Sequence, residues 1–210
     1  MSENKEKSGV QLDWGKIMKV AAILLIITLV CTLLLAFTNS ITAPIIAKQN
    51  EAANTKAQQE VLPDADKFEE VSGLSDKVSS LQSDYSAIIT TAYAGYKGDQ
   101  IVGYAIKTTP SGYGGDIEML TGVSTDGKVT GISILSQSET AGLGAKSTDP
   151  AFSGQYKGLS AEEDVTVVKG QSASGNQIEA ITGATITSKA VTLGVNAADA
   201  AAKVLMGESK

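Results

Sequence analysis

The sequence contains no histidine and no arginine, and its 210 residues include a single cysteine, Cys31. Without histidine, the chain has no imidazole for acid–base catalysis, for metal ligation or for a Ser-His or Cys-His nucleophile pair. One cysteine cannot form an intramolecular disulfide, a cysteine zinc site or an iron–sulfur cluster. All seventeen basic residues are lysines and the net charge is −6, which argues against nucleic-acid binding. Such a chain must take its chemistry from a cofactor, or have none.

One apolar run near the N-terminus is long enough to cross a membrane. It covers Val20 to Phe37 without a charged residue and would form about 27 Å of helix at ~1.5 Å per residue. The hydrocarbon core of a bilayer is about 30 Å thick, so the sequence predicts a transmembrane helix over residues 17–38. A cleaved signal peptide with its site at Ile41-Thr42-Ala43 is the alternative, although signal peptides usually have apolar runs of about 7–15 residues.

The lysines lie unevenly on the two sides of this run. Four of them precede it, and the next lysine is far beyond it: Lys5, Lys7, Lys16 and Lys19, then Lys48. Because cytoplasmic flanks carry the excess of positive charge, residues 1–16 are predicted to be cytoplasmic. The large C-terminal part is then predicted to lie outside the cytoplasmic (inner) membrane, with the chain crossing it once.

Residues 39–86 are predicted to form a juxtamembrane helix and a connecting segment. The polar, Ala- and Gln-rich stretch from Ser40 to Glu60 reads as a helix that begins or kinks at Pro44. Leu62-Pro63-Asp64-Ala65-Asp66 ends this helix. The charged residues 64–85 that follow are predicted to be a loop with short helical turns.

Beyond residue 87 the pattern is that of strands. The first four predicted strands form two hairpins, and two shorter strands follow. The predicted ranges are Ile88–Tyr96, Ile101–Thr108, Ile117–Ser124, Val129–Ser136, Val165–Lys169 and Ile178–Ile181. The fold class is therefore α+β, with one N-terminal transmembrane helix followed by a mostly antiparallel sheet flanked by helices.

The segment after the last predicted strand has the features of an anion site. Thr182-Gly183-Ala184 can turn the chain, and from Thr185 apolar residues recur at three- and four-residue spacing, as in a helix that ends near Gly207. A strand, a glycine turn and a helix start together present unpaired N–H groups and the positive end of the helix dipole. The alternative is that the hydroxyl residues of this segment merely cap the helix: Thr182, Thr185, Thr187 and Ser188.

Two glycine-rich loops precede this segment. They cover Ser111–Asp116 and Ser136–Lys146. Glycines let a backbone approach a ligand closely, but they also occur in ordinary turns. Neither loop has the spacing or the βαβ context of a dinucleotide-binding fold.

Together, these motifs resemble a known family of flavoproteins. Glu179-Ala180-Ile181-Thr182-Gly183-Ala184-Thr185 is similar to the covalent FMN attachment motif, Asp-x-x-Ser/Thr-Gly-Ala-Thr, of membrane subunits of the Rnf and sodium-pumping NADH:quinone reductase complexes. The family also has a Gly-Tyr-Gly loop and a Glu-Thr-Pro-Gly-Leu-Gly loop. This sequence departs from the family motifs at three positions: it has Glu179 instead of aspartate, Ala141 instead of proline, and Gln137 where relatives often have histidine. The resemblance covers the N-terminal span and residues 87–206.

This resemblance implies a set of cofactor-binding residues. Thr185 would carry FMN through a phosphoester, and the phosphate would be framed by Thr182, Gly183, Ala184 and Ser188. The flavin pocket would be lined by Glu139, Thr140, Gly142, Leu143 and Gly144. Within it, Leu143 would pack on the ring and Thr140 would form a hydrogen bond to it. Tyr113 would edge the ring, or be an ordinary surface tyrosine.

The resemblance also implies a function. The chain is similar to the RnfG proteins, which are subunits of Rnf complexes. These complexes oxidise reduced ferredoxin, reduce NAD⁺ and pump sodium ions or protons. It would be an electron-transfer component without independent catalysis, residues 87–210 forming the extracytoplasmic FMN domain. Its partners would be the other Rnf subunits and, during maturation, an FAD-dependent FMN transferase that uses magnesium. The alternatives are a stand-alone extracytoplasmic flavin shuttle, the NqrC flavoprotein of a sodium-pumping NADH:quinone reductase, or a structural module without a cofactor.

Overall fold

The computed structural model describes residues 13–208, and the chain divides into two compact units between Glu51 and Ala52. Helix α1, Trp14–Val61, begins in the first unit and ends in the second. Its side chains are exposed as far as residue 53, and it is the one described helix that is long and apolar enough to cross a membrane. The predicted span at residues 17–38 lies within it, whereas most of the predicted cytoplasmic segment falls outside the described residues.

Pro44 lies inside α1. The alternative that a separate helix begins at Pro44 is therefore wrong. Proline lacks an N–H group and removes one bond from the helical ladder. Side-chain hydroxyls supply extra bonds to helix carbonyls around this point: Thr38 donates to Leu34 at 2.9 Å and Thr42 donates to Thr38 at 3.0 Å. Such bonds accompany proline in membrane helices.

The second unit contains a five-stranded antiparallel sheet. Its strands follow chain order across the sheet: β1 Lys67–Glu70, β2 Ile89–Lys97, β3 Gln100–Thr108, β4 Glu118–Ser124 and β5 Val129–Ser136. The two predicted hairpins are confirmed, with Gly98 and Gly127 at positive φ in their turns. The predicted α+β class is likewise confirmed. β1 was not predicted, and it lies within residues 64–85, which were predicted to be a loop with short helical turns.

The other elements surround this sheet. They are α2 Leu74–Val78, α3 Ser83–Ser86, α4 Pro150–Ser153 and α5 Thr185–Glu208, with 3-10 turns at Gly144–Thr148 and Gly154–Tyr156. Strands β6 Thr166–Val168 and β7 Gln177–Glu179 pair with each other in parallel and form a separate two-stranded sheet. Gly207 lies within α5 rather than after it, so the predicted stop is wrong by at least one residue.

Two helical segments bury the two faces of the five-stranded sheet. Alternate residues of β3 point to opposite faces, so Ile106 contributes to the cluster with α5 and Ala105 to the cluster with the end of α1. In α5 the predicted apolar face is buried: Val191, Val195, Ala198, Ala202 and Leu205. On the other face, Val61 and Leu62 are buried. The last turns of α1 are therefore part of the core, and the compact unit begins well before residue 87.

Helix α5 buries one carboxyl group, that of Asp199, without a hydrogen bond to it from the described residues. Asp199 is 3% exposed, and neither carboxylate oxygen has a hydrogen-bond partner among the described residues. Burial raises the pKa of Asp199 to about 8; Lys203 opposes the increase and Asp164 adds to it. An unfolded aspartate titrates near 3.9. At a pH between these two pKa values, Asp199 therefore takes up a proton when the chain folds.

We expect this proton uptake to make stability fall as pH rises. Between about pH 4 and pH 8 the folded Asp199 holds a proton that the unfolded chain has lost, so the free energy of unfolding decreases by up to ~1.4 kcal/mol per pH unit from this group. Asp199→Asn removes the contribution, and the variant becomes more stable than wild type at pH 8. Urea unfolding of the detergent-solubilised chain from pH 5 to 9 measures this. Exposed Asp76→Asn is the control, and parallel curves for wild type and Asp199→Asn would contradict the expectation.

Candidate functional site

A cavity of about 480 Å³ lies where three segments of the second unit meet. These segments are the β3–β4 connection, the loop after β5 and the first turn of α5. The lining residues are Tyr113, Glu139, Thr140, Leu143, Gly144, Gly183, Ala184, Thr185, Ile186 and Thr187. This volume is within the range of about 300–1,000 Å³ that is usual for small-molecule sites. A larger groove of about 850 Å³ near the C-terminal end of α5 contains none of the predicted site residues.

The predicted strand, turn and helix start form one wall of the cavity. Strand β7 ends at Glu179, Gly183 turns the chain at φ +79°, and α5 begins at Thr185. The amides of Ala184 and Ser188 are bonded to the carbonyls of Ile181 and Ala184. The N–H groups of residues 185–187 have no intrahelical acceptor, because they belong to the first turn. With the positive end of the helix dipole, they favour an anion at this point.

The four hydroxyl residues of this segment occupy different environments. Thr182 is exposed and does not line the cavity. Thr187 is buried and donates to Glu139 Oε2 at 2.5 Å. The Ser188 hydroxyl is buried; it accepts from the Ile181 N–H and donates to the Ala184 carbonyl, each at 2.9 Å. Thr185 lines the cavity, is half-buried, and its hydroxyl has no hydrogen-bond partner in the described part of the chain.

Helix α5 begins at Thr185, and among the described residues none of these four hydroxyls accepts a hydrogen bond from an N–H of its first turn; the one N–H that bonds to them is that of Ile181, before the helix. Simple capping therefore does not account for the cluster of hydroxyl residues. Of the predicted phosphate-framing residues, Gly183 and Ala184 line the cavity, whereas Thr182 and Ser188 do not. Ser188 instead connects the turn to the helix, so its observed contacts are structural.

The rim of the cavity exposes apolar surface. Outside α1, the large hydrophobic residues that are exposed in the described chain are Tyr113 at 71%, Ile186 at 55% and Leu143 at 42%. All three line this cavity. Exposed apolar side chains gathered at one site indicate a ligand or partner surface. Ile186 was not predicted as a site residue; the available signal was an isoleucine in the first turn of α5, off the buried face of the helix.

Glu139 connects the three segments that form the cavity. Its Oε1 accepts from the N–H groups of Tyr113 and Gly114 at 2.8 and 2.9 Å, and its Oε2 accepts from Thr187. Burial by itself would raise the pKa of Glu139, but the hydrogen bonds from Thr187, Gly114 and Tyr113 outweigh it, and the net change is a lowered pKa. The carboxylate is therefore ionised at neutral pH.

Two glycines make room for this carboxylate. A Cβ on Gly112 would clash with Glu139 Oε1, and a Cβ on Gly144 would clash with Oε2 and lie 2.6 Å from Thr187 Oγ1. Neither glycine has a positive φ, so space rather than backbone conformation requires glycine there.

Gly142, another of the predicted pocket residues, has φ +76° and lies outside the cavity lining. Thr140 lines the cavity, and its carbonyl accepts from the amides of Leu143 and Ala145.

This arrangement fits FMN in three respects. The cavity has a suitable volume, its rim presents apolar side chains for a flat ring, and the start of α5 offers N–H groups for a phosphate next to an unpartnered hydroxyl. Gly183 and residues 185–187 would surround the phosphate, and Tyr113, Leu143 and Ile186 would contact the ring.

Comparisons with known proteins support a flavin site in this part of the chain. Residues 112–199 match the FMN-binding domain family model, and residues 13–61 match the model of the RnfG N-terminal region. The chain is thus a protein of the FMN-binding-domain class, with the described cavity inside the matched domain. It is 46% identical over 198 residues to the G subunit of the Na(+)-translocating ferredoxin:NAD(+) oxidoreductase complex of Acetobacterium woodii, covering 92% of this chain and 94% of that one.

A second relative is the G subunit of the proton-translocating ferredoxin:NAD(+) oxidoreductase complex of Clostridium ljungdahlii. It is 38% identical over 186 residues, covering 89% of this chain and 91% of the relative. The chain therefore belongs to the RnfG family of ion-translocating oxidoreductase complexes. Among solved structures, the C subunit of the Na(+)-translocating NADH-quinone reductase from Parabacteroides distasonis has the same fold. Its TM-score is 0.54 at 22% identity, covering 76% of this chain and 95% of that one.

We expect Gly144→Ala to disturb the site, because its Cβ would meet both partners of the Glu139–Thr187 bond. Relieving such an overlap usually costs about 1–3 kcal/mol of stability. Gly154→Ala is the matched control, since its Cβ would have no neighbour within 4 Å and its φ is −66°. Urea unfolding of both variants measures the difference. Equal stabilities would show that the close approach at Gly144 is not a constraint.

Proposed function

We propose that this chain carries electrons through an FMN that is covalently bound to Thr185. The observation that supports this most strongly is the environment of the four neighbouring hydroxyls. Thr185 lines the cavity without a hydrogen-bond partner among the described residues, whereas Thr187 and Ser188 are buried and engaged, and Thr182 lies outside the lining. Accessibility, a free oxygen and the adjacent N–H groups coincide at one residue.

Attachment would be a phosphoryl transfer by another enzyme. A threonine hydroxyl is a weak nucleophile without a base, and the chain has no histidine to act as one. An FAD-dependent FMN transferase would supply the base and the magnesium ion. FAD would be the donor: Thr185 Oγ1 would replace AMP on the phosphorus of its FMN half, AMP would leave, and the hydroxyl proton would pass to the base. The N–H groups at the start of α5 would stabilise the phosphate before and after transfer.

When bound, FMN can exchange either one or two electrons, which lets it connect carriers of both kinds. The chain's own residues have a narrower task. The first turn of α5 holds the phosphate, and Tyr113, Leu143 and Ile186 orient the ring at the cavity rim. The relatives from Acetobacterium woodii and Clostridium ljungdahlii are components of ferredoxin:NAD(+) oxidoreductase complexes. In this chain, we therefore infer a role as the flavin-carrying component of such a complex, with the other components as its electron donor and acceptor.

The membrane anchor would hold the flavin domain outside the cytoplasm. The lysines that precede the span favour a cytoplasmic N-terminus. Covalent attachment is advantageous there, because a dissociated flavin would be lost from the protein. The RnfG relatives match 92% and 89% of the chain, and the RnfG N-terminal model matches the anchor at residues 13–61, which favours the Rnf complex over a stand-alone shuttle. The exposed apolar rim argues against a structural module without a cofactor.

Intact-mass analysis tests the covalent bond. Wild type co-expressed with an FMN transferase should gain the mass of one FMN less one water. Thr185→Val should gain nothing, because it removes the hydroxyl that, of the four described in this segment, lines the cavity without a hydrogen-bond partner. Thr182→Val is the matched control and should load like wild type, since Thr182 lies outside the cavity lining. Loading that persists in Thr185→Val would refute the assignment.

Reporter fusions test the orientation. Alkaline phosphatase, which is active only after export, should be active when fused after residue 210 and inactive when fused before residue 1. Green fluorescent protein should show the opposite pattern, because it folds in the cytoplasm. Active phosphatase at the N-terminus would reverse the proposed topology.

A further inference from the structure

Among the described residues that line the FMN cavity, Glu139 alone has a charged side chain. The other nine lining residues are uncharged, and no ion pair to Glu139 occurs among residues 13–208. A fixed negative charge without a cationic partner therefore lies in the cavity wall. Electrons that enter a ligand in this cavity are added beside that charge, and like charges repel more strongly in a protein interior than in water.

Several features of the chain keep this carboxylate ionised and in place. Three donors, two backbone N–H groups and the Thr187 hydroxyl, point at its oxygens. They lower the pKa of Glu139 despite its burial. Gly112 and Gly144 leave the space that its oxygens occupy. A hydrophobic side chain could fill the same space without the three hydrogen-bond donors. We therefore look for a function of the charge itself.

We propose that the Glu139 carboxylate lowers the reduction potential of the flavin that this cavity holds. The inference rests on the proposed function, because it requires FMN in the cavity. It makes Glu139 an electrostatic determinant of the flavin in addition to its structural role in joining two loops to α5. The competing explanation is that Glu139 acts only as a structural connector.

Two variants separate the charge from the connection. Glu139→Gln removes the charge but keeps the size and an acceptor oxygen for the N–H groups of Tyr113 and Gly114. Thr187→Val keeps the charge but removes the connection to α5. Each loaded protein is titrated with redox dyes in detergent, and the midpoint potential is read from the flavin absorbance. The expected result is a positive shift in Glu139→Gln and a much smaller shift in Thr187→Val.

The outcomes are distinct. An unchanged or more negative potential in Glu139→Gln overturns the proposal, and so do equal shifts in the two variants, which would assign the effect to geometry. A folded Glu139→Gln that takes up no FMN also overturns it, because the residue would then act on loading. Wild type that takes up no FMN contradicts the proposed function itself, so the two failures are distinguishable.

The wild-type protein gives a second measurement that does not depend on Glu139→Gln folding. Acid protonates Glu139, so the potential should rise additionally as pH falls through the lowered pKa of this carboxyl. Four other titratable side chains lie on the surrounding elements, and none has a hydrogen bond to the carboxylate: Tyr113, Asp116, Lys146 and Lys189. The rise should persist in Asp116→Asn, the matched control. Its loss in that variant, or its absence from wild type, overturns the proposal.

Discussion

The close packing of α5 on the sheet determines where the functional site lies. Small residues on the buried face let the helix approach the strands: Ala197, Ala198, Ala201 and Ala202 are fully buried. At Gly194 even a Cβ would come within 2.8 Å of Met119 Sδ and 2.9 Å of Thr108 Oγ1. A helix held this tightly cannot slide or rotate without losing core contacts. Its first turn is therefore fixed beside the two glycine-rich loops, and the cavity exists because these three segments meet there.

The electrostatics of the cavity follow from that placement. The first turn of α5 favours a phosphate, because its N–H groups lack intrahelical acceptors. Glu139 places a negative charge in the same lining, and three donors compensate for its burial. Thr187 connects the two features, since it belongs to the first turn and donates to the carboxylate. In the proposed function, the turn that would hold the phosphate therefore also helps to hold the charge that would lower the flavin potential.

Much of this could be predicted from the sequence, because local patterns specify local structure. Strand-forming residues and glycine turns predicted both hairpins, and helical spacing predicted the buried face of α5. The missed elements depend on distant contacts. β1 is short, charged and largely exposed, and it forms through pairing with β2. The parallel pairing of β6 with β7 joins segments that no sequence periodicity relates. Spacing could not distinguish the environments of the four hydroxyl residues of the turn and helix start. Thr187, for example, is engaged by Glu139, which lies 48 residues away in the sequence.

The central claim is that Thr185, and no neighbouring hydroxyl, carries the flavin. Trypsin cleaves after Lys169 and Lys189, so one peptide contains all four candidate residues of the turn and helix start. Fragmentation of this peptide from loaded protein localises the added mass. The account predicts that the mass is on Thr185 alone. Mass on Thr182, Thr187 or Ser188, or an unmodified peptide from protein that nonetheless contains FMN, would contradict it.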